Sequence, residues 1–550
     1  MQAATFMDRI YQGTLDKEIF NSFRAPRNLE KIQGVVHAYL EMLKEFDPRS
    51  IEEAGRIPAK MLEMMKESGF FGLSIPEMYG GLGFNGWEYL KTIEELVRRD
   101  ISVVLASIAH LSIGVKGILL FGNESQKQKY LVPAASGDMI FSYALTEPRV
   151  GSDAQHIETR AELSEDGSHY ILNGQKTYIT NANYAGGLTV FAQMDPRKPG
   201  FMGAFIVETA WEGVKIGRDM PKMGLKASST AAIQFKNVHV PVENLLGKPG
   251  DGFKIAMTIL NYGRLGLGAA SLGMIRQSLE DMTKRASSRI QFGVPIRSFP
   301  LVQEKLVKAK VYSLVISSMN DFITGILEKD PLANVAVETS HCKLFGTTRA
   351  WDVLYDALQV AGGSGYITSN PYEKRMRDFR VATVFEGTTE IHSIYPPLFM
   401  IRKLEGRMGT LKGNKVRKLL FLMDRLLRKM EWPLEFEEGV MRKAAGFARK
   451  NAASLRRMLF AAMLIHGKKI PQKEFLLRRI TALSLYLFGI LAVLSKFSTA
   501  QKAGALKKED LHLLDYFLEE AREVRRENRR IFSSPKEKAH ERVFLDIFNT

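Results

Sequence analysis

One carboxylate is set apart by its neighbours. Glu386 lies in the stretch Thr383-Val384-Phe385-Glu386-Gly387-Thr388-Thr389-Glu390-Ile391, between two large apolar residues and a glycine. Val384 and Phe385 are expected to dehydrate the carboxylate and raise its pKa, which suits a base that must take a weakly acidic proton. Gly387 has no Cβ and lets the main chain approach a ligand closely. As plain structure, the stretch is a loop before a helix beginning near Thr388, with Glu390 in its first turn. A basic cluster (Lys374, Arg375, Arg377, Arg380) precedes it.

Other segments carry groups suited to binding. Arg289 and Gln291, in Arg289-Ile290-Gln291-Phe292-Gly293, suit a diphosphate, because a guanidinium grips two phosphate oxygens at once. Gln359-Val360-Ala361-Gly362-Gly363-Ser364-Gly365-Tyr366 ends a helix in a glycine pair, which caps it. Phe141-Ser142-Tyr143-Ala144-Leu145-Thr146-Glu147-Pro148, followed by Gly151-Ser152-Asp153-Ala154, reads locally as turn chemistry. Tyr178-Ile179-Thr180-Asn181 and Leu260-Asn261-Tyr262-Gly263-Arg264 complete the set. The single cysteine, Cys342, excludes a disulfide framework or a cysteine metal site within one chain, and no metal is expected.

The elements that must position these groups follow from periodicity. A chain of 550 residues implies several domains. Residues 1–140 read as helical, with Lys31–Phe46, Pro58–Ser68 and Gly86–Arg99 amphipathic and Val103–Phe121 a uniformly apolar, buried helix. No glycine fingerprint follows a strand, so no Rossmann unit is expected. From 141 to 247 short β-rich runs take over; the Asn173-Gly174 pair predicts a tight hairpin turn between two of them. Helices return over 248–402, as Phe253–Lys284, Val302–Glu328 and Asn334–Ala361. Residues 403–550 form a further helical domain, with Leu511–Phe517 and Arg522–Arg530 as separate helices. The fold class is mostly α with a small antiparallel β domain.

The net charge of +17 is unevenly placed: residues 401–550 hold 33 Lys+Arg against 17 Asp+Glu, and the first 400 hold 44 against 43. The tail therefore expects an anionic partner, an anionic membrane surface or an acidic protein, and no motif supports nucleic acid. Its most apolar piece, Ile480–Ser495, is short for a bilayer span and reads as a core helix. The first 20 residues do not read as a signal or transit peptide, so a cytoplasmic location is expected, peripheral on the inner face of the membrane through the tail, or mitochondrial in a eukaryote.

In this order, the segments around Thr146, Tyr178, Arg289, Gly362 and Glu386 resemble the flavin-dependent acyl-CoA dehydrogenases over about residues 30–400, and the tail resembles that of the very-long-chain branch. The resemblance implies an α bundle, a β domain and a second α bundle around FAD. Tyr143, Leu145, Thr146, Tyr178 and Thr180 would line the flavin, where many members have tryptophan in place of Tyr178; Thr388 and Glu390 would also touch the cofactor. Arg289, Gln291, Phe292, Gln359, Gly362 and Gly363 would reach the ADP half of FAD on a neighbouring subunit, giving a homodimer. Ser152, Asn261, Arg264 and Gly387 would serve the acyl-CoA substrate, Arg264 either at the mouth of its site or steadying the base loop. Some branches place the base just before this arginine; that position is Gly263 here, which leaves Glu386. Glu386 would take the α-proton while the β-hydrogen leaves as hydride to flavin N5, giving a trans-2-enoyl-CoA, as in fatty acid β-oxidation. Electrons would pass to an electron-transfer flavoprotein. An acyl-CoA oxidase or a membrane-associated assembly protein on the same scaffold are the alternatives.

Overall fold

The computed structural model describes residues 5–21, 28–409, 415–437 and 439–548. Helix starts are written locally: Asn85 and Glu88 exchange bonds as a capping box, as do Asn123 and Gln126, and Asp100 accepts from the N–H groups of Ser102 and Val103. After α1 (Phe6–Gln12) and α2 (Lys17–Phe20), the N-terminal helices are α3 (Leu29–Glu45), α4 (Pro48–Ala54), α5 (Ala59–Glu67), α6 (Gly86–Val97), α7 (Ile101–Ala109), α8 (Lys116–Phe121) and α9 (Glu124–Ser136). The single helix expected over Val103–Phe121 is interrupted by a π-helical turn, His110–Gly114. His110 causes the break to be useful: Nδ1 accepts from Phe141 N–H (2.9 Å) and Nε2 meets Ala134 O (3.1 Å), tying the turn to the first strand.

Strands β1 (Ile140–Ala144), β2 (Arg160–Leu163), β3 (His169–Thr180), β4 (Ala185–Gln193), β5 (Met202–Glu208), β6 (Val214–Ile216), β7 (Thr230–Pro241) and β8 (Leu245–Gly250) form one sheet. Its order is β6-β7-β3-β2-β4-β5-β8, mainly antiparallel, with β1 alongside β4 in parallel. The hairpin expected at Asn173-Gly174 is not there. Both residues lie inside β3, where the register against β7 slips between Leu172 and Gly174. Thr159 presses on this point, so a Cβ on Gly174 would lie 2.5 Å from its Oγ1, and Asn173 Oδ1 accepts from Asn237 N–H (2.8 Å). The pair marks a bulge rather than a turn.

The second bundle holds α10 (Gly252–Ser288), the small hairpin β9–β10 (Ile290–Gln291, Val294–Pro295), α11 (Pro300–Lys329), α12 (Ala336–Ala361), α13 (Gly363–Tyr366), α14 (Tyr372–Phe379) and α15 (Thr389–Gly409). The expected boundary at 402/403 thus falls within α15. The tail comprises α16 (Lys415–Leu427), α17 (Gly439–His466), α18 (Glu474–Lys502), α19 (Lys508–Asn528) and α20 (Pro535–Phe548). Leu511–Phe517 and Arg522–Arg530, expected as two helices, are joined in α19, because Leu514, Phe517, Leu518 and Ala521 continue one buried stripe through the charged stretch. Ile101–Phe121 and Glu474–Lys502 are each long and apolar enough to cross a membrane, yet both are mostly buried in the protein. Within α18, Phe488 meets Phe322 edge-on at 5.6 Å, and Tyr486 stacks on Phe517 at 5.4 Å. The N-terminal α1 joins this core rather than the helices that follow it: Phe6 lies 4.8 Å from Phe322, and Met7 N–H donates to Glu338 (2.8 Å).

Candidate active site

Glu386 occupies the turn between α14 and α15, with φ at +55°, a left-handed conformation unusual for a residue with a Cβ. Its carboxylate lies over Gly263 of α10: a Cβ there would stand 2.6 Å from Oε2 and 2.7 Å from Oε1. With glycine here the carboxylate can occupy this space, and any Cβ would force it to move. Oε2 is buried without a hydrogen-bond partner among the described residues. Burial pushes the Glu386 carboxyl up to about 7, while Arg264 and Lys343 pull it back toward ionisation.

Those two cations also hold the loop. Arg264 Nε donates to the Glu386 carbonyl (3.3 Å), and its Nη1 meets Asn261 Oδ1 (3.4 Å), which in turn accepts from Thr339 Oγ1 (3.2 Å). Arg264 is buried and lies 5.7 Å above the Tyr395 ring, so its place is under the base loop and not at an exposed mouth. Lys343 Nζ donates to the Gly387 carbonyl (2.6 Å), and burial lowers this ammonium to about 8. His392 Nε2 meets the Glu386 carbonyl at 3.0 Å, and its Nδ1 meets Ser340 Oγ at 2.7 Å. Thr388 Oγ1 accepts from Ile391 N–H (3.4 Å), so Thr388 caps α15, and Glu390 is an exposed first-turn carboxylate.

One expectation about the surroundings of Glu386 is corrected. Val384 is 48% exposed and dehydrates little; the buried Tyr89 and the half-buried Tyr143 bring their phenols within electrostatic reach. The basic cluster is spent elsewhere: Lys374 sits between Asp100 (2.8 Å) and Asp378 (2.6 Å), Arg375 pairs with Asp281, Arg377 with Glu52 and Glu373, and Arg380 covers Trp351.

The remaining residues fall into two groups. Tyr143 runs down from β1 and donates to Ala256 O on α10 (3.2 Å), close to Arg264 and Glu386. The segment that follows is stitched to β3: Thr146 O accepts from Thr177 N–H (2.9 Å), Leu145 O from Lys176 Nζ (3.1 Å), and Lys176 makes a buried ion pair with Glu147 (2.6 Å). This brings Leu145 and Thr146 beside Tyr178 and Thr180. Tyr178 is 68% exposed with φ at +57°, an unusual display of a flat ring within β3, where the register against β7 slips between Lys176 and Ile179. A flat, partly polar group such as a flavin suits this surface, which offers one exposed aromatic face, half-buried hydroxyls and the unpartnered Glu386 oxygen nearby. Ser152 is exposed in a bend of the adjoining loop.

The second group lies at the far end of α10. Arg289, Gln291 and Phe292 lie on the β9–β10 hairpin, and Phe292 is 93% exposed with φ at +51°. Gln359, Gly362 and Gly363 are exposed at the end of α12, which Arg285 Nη2 ties to α10 through Ala361 O (3.3 Å). Gly263 and Arg289 are separated by about 39 Å of helix at 1.5 Å per residue. One chain therefore does not gather both groups.

Sequence reasoning missed Lys343, Ser340, His392 and Tyr89. A histidine in the first turn of the helix after Glu386 was a usable signal. The others come from α12 and α6, distant in sequence, with no local mark.

Family models match the three consecutive parts of the chain: acyl-CoA dehydrogenase N-terminal domain over residues 28–138, middle domain over 142–238 and C-terminal domain over 250–394. The very long-chain specific acyl-CoA dehydrogenase of Rattus norvegicus mitochondria is 31% identical, covering 94% of this chain and 82% of that protein. An acyl-CoA dehydrogenase from Bacillus anthracis, solved in complex with FAD, superposes with a TM-score of 0.82 at 26% identity, covering 100% of this chain and 95% of that one. Butyryl-CoA dehydrogenase from Megasphaera elsdenii gives 0.63 at 31% identity, covering 69% of this chain and 100% of that one.

Proposed function

Because this chain belongs to the acyl-CoA dehydrogenase family, we propose that it uses FAD to remove the α- and β-hydrogens of a long-chain acyl-CoA, with Glu386 as the base. The observation that carries this reading is the Glu386 oxygen, buried and unpartnered over Gly263, on a carboxyl raised to about 7. A carboxylate at its ordinary pKa is too weak a base for the proton beside a thioester carbonyl, and burial moves it toward the substrate. Arg264 and Lys343 keep enough of it ionised to act. The backbone N–H of Glu386 is the donor proposed for the thioester oxygen as negative charge develops. Bound FAD would supply the hydride acceptor.

Tyr143, Leu145, Thr146, Tyr178 and Thr180 would hold the ring end of the cofactor, with Thr388 and Glu390 at the base loop. Arg289, Gln291, Phe292, Gln359, Gly362 and Gly363 would hold the diphosphate end of a cofactor seated mainly in a second copy. The length of α10 between the two groups supports such a homodimer. A long acyl chain is favoured by the very long-chain relative. A separate electron-transferring flavoprotein is the proposed electron acceptor; peroxide release in air without added acceptor would assign an oxidase instead.

Anaerobic titration of the holoenzyme with saturated acyl-CoAs of graded length tests the reading. Loss of flavin absorbance should be greatest with long chains, and absorbance unchanged at every length would overturn it.

The tail is the proposed membrane contact, on the cytoplasmic side. On α16, Leu419, Leu420 and Leu427 are 52%, 62% and 73% exposed beside the exposed Arg417, Arg428 and Lys429, the pairing that in-plane helices use on anionic lipid. Removing the tail is a poor test, because α18 is core. Leu420→Glu with Leu427→Glu should abolish sedimentation with anionic vesicles; unchanged sedimentation would remove α16 from the contact.

A further inference from the structure

Two successive carbonyl groups of the base loop turn into the protein, those of Glu386 and Gly387. Arg264 and His392 serve the first, and Lys343 serves the second. His392 is 0% exposed and acts through a ring whose chemistry is fixed on both sides. A carbonyl only accepts, so Nε2 must carry the ring proton. Nδ1 is then an acceptor, and the Ser340 hydroxyl at 2.7 Å donates to it. Burial, with Arg264 and Lys343 close by, holds the ring well below its usual pKa and therefore neutral. Ser340 and Lys343 stand one turn apart on α12, so both anchor points come from one helix.

The ring also fills the space beneath the loop. A Cβ on Gly387 would lie 2.7 Å from His392 Nε2, and φ there is +100°. A left-handed residue with a Cβ is strained and persists only where its surroundings hold it. Glu386 is such a residue, and its carbonyl is the atom being held.

We infer that His392, with its tautomer fixed by Ser340, is a positioning residue for Glu386: it anchors the carbonyl, sustains the left-handed turn and so keeps the carboxylate over Gly263. Its effect on turnover rests on Glu386 being the base, whereas the anchoring does not. Nothing in the sequence pattern of the loop itself demands a histidine six residues on; the juxtaposition of α12 with the start of α15 does.

The test uses the full-length holoenzyme and four variants: His392→Leu, His392→Gln, Ser340→Ala and Ser340→Thr. One readout is the anaerobic rate of flavin bleaching by a saturating long-chain acyl-CoA. The other is amide hydrogen exchange across residues 385–389 without ligand. His392→Leu should slow bleaching about a hundredfold, the scale of a small misplacement of a reacting group, at unchanged flavin content, and speed exchange of these amides. His392→Gln retains an N–H donor and should recover most of both. Ser340→Ala should show the same two changes more weakly, and Ser340→Thr should reverse them. Wild-type bleaching and exchange in His392→Leu, or a glutamine variant no better than leucine, would overturn the assignment. Should His392→Leu fail to fold, the serine pair decides: amides no looser in Ser340→Ala than in Ser340→Thr would overturn it. Looser amides in a protein that no acyl-CoA bleaches would uphold the anchor and remove the functional reading instead.

Discussion

Two glutamates among the described residues are pushed by burial to the same value, about 7, and only one of them is the proposed base. Glu338 lies inside α12 with 0% exposure; its Oε1 accepts from Met7 N–H (2.8 Å) and its Oε2 has no partner among the described residues. The N-terminal helix closes over it, with Met7 and Tyr11 both fully buried. Glu386 also has an unpartnered oxygen, but it sits on a loop, faces a glycine and has Arg264 and Lys343 as counter-charges. A raised pKa marks a dehydrated carboxyl. Access and nearby cations are what turn a dehydrated carboxyl into a usable base.

The sharpest way to break this comparison is to remove both acids in turn. Glu386→Gln should lower the rate of flavin bleaching by acyl-CoA by about a thousandfold or more, within the range of lost general-base catalysis, with flavin content retained. Glu338→Gln should leave that rate within a few-fold of wild type. Equal losses in stopped-flow measurements would erase the distinction.

Gly263→Ala comes next. The added methyl would overlap the Glu386 carboxyl atoms, so the base must move, and a loss of about a hundredfold in bleaching rate is expected while acyl-CoA binding persists. Wild-type turnover in this variant would mean that the carboxylate does not work from its position over α10.

Lys343→Met sharpens the role of the cations. The proposed base, Glu386, would act as a carboxylate, so turnover should rise with pH through about 7. Lys343 lowers that pKa, and its loss should carry the rising limb of the pH–rate profile up by about one unit. A profile left in place would assign Lys343 to the Gly387 carbonyl alone.

The smallest effect belongs to Glu338 and is one of stability. Its folded pKa lies above the unfolded value, so the folded state binds the extra proton between about pH 4.5 and 7. Its contribution is present below the unfolded pKa and lost as pH rises through about 7. Glu338→Gln should therefore flatten the fall in Tm between pH 5 and 8, measured by thermal melts. A fall as steep as in wild type would place the buried charge elsewhere.

Features whose cause lies close in the chain were legible. The amphipathic helix expected from Gly86 starts there, capped by the exchange between Asn85 and Glu88. The Glu386 loop and its following helix are equally local, and the apolar run of α18 reads directly as a core element. Two misreadings share a cause. Asn173-Gly174 has the local chemistry of a turn, yet Thr159 and β7 hold it in a strand. Val103–Phe121 has the pattern of one helix, yet His110 bonds to β1 and α9 and a wider turn results. In each case a partner distant in sequence overrode the local preference.

By itself, then, the sequence determined the succession of helices, sheet and helices, the basic tail, and an acid beside a glycine, because hydrophobic period, capping and composition act over a few residues. Only the tertiary structure decided where that acid points. Gly263 from α10, Lys343 and Ser340 from α12 and His392 from α15 meet at two carbonyl groups and one carboxylate. Contacts between helices so far apart in the chain leave no periodic signal, and their physical effect, burial with directed hydrogen bonds, exists only once the helices are packed.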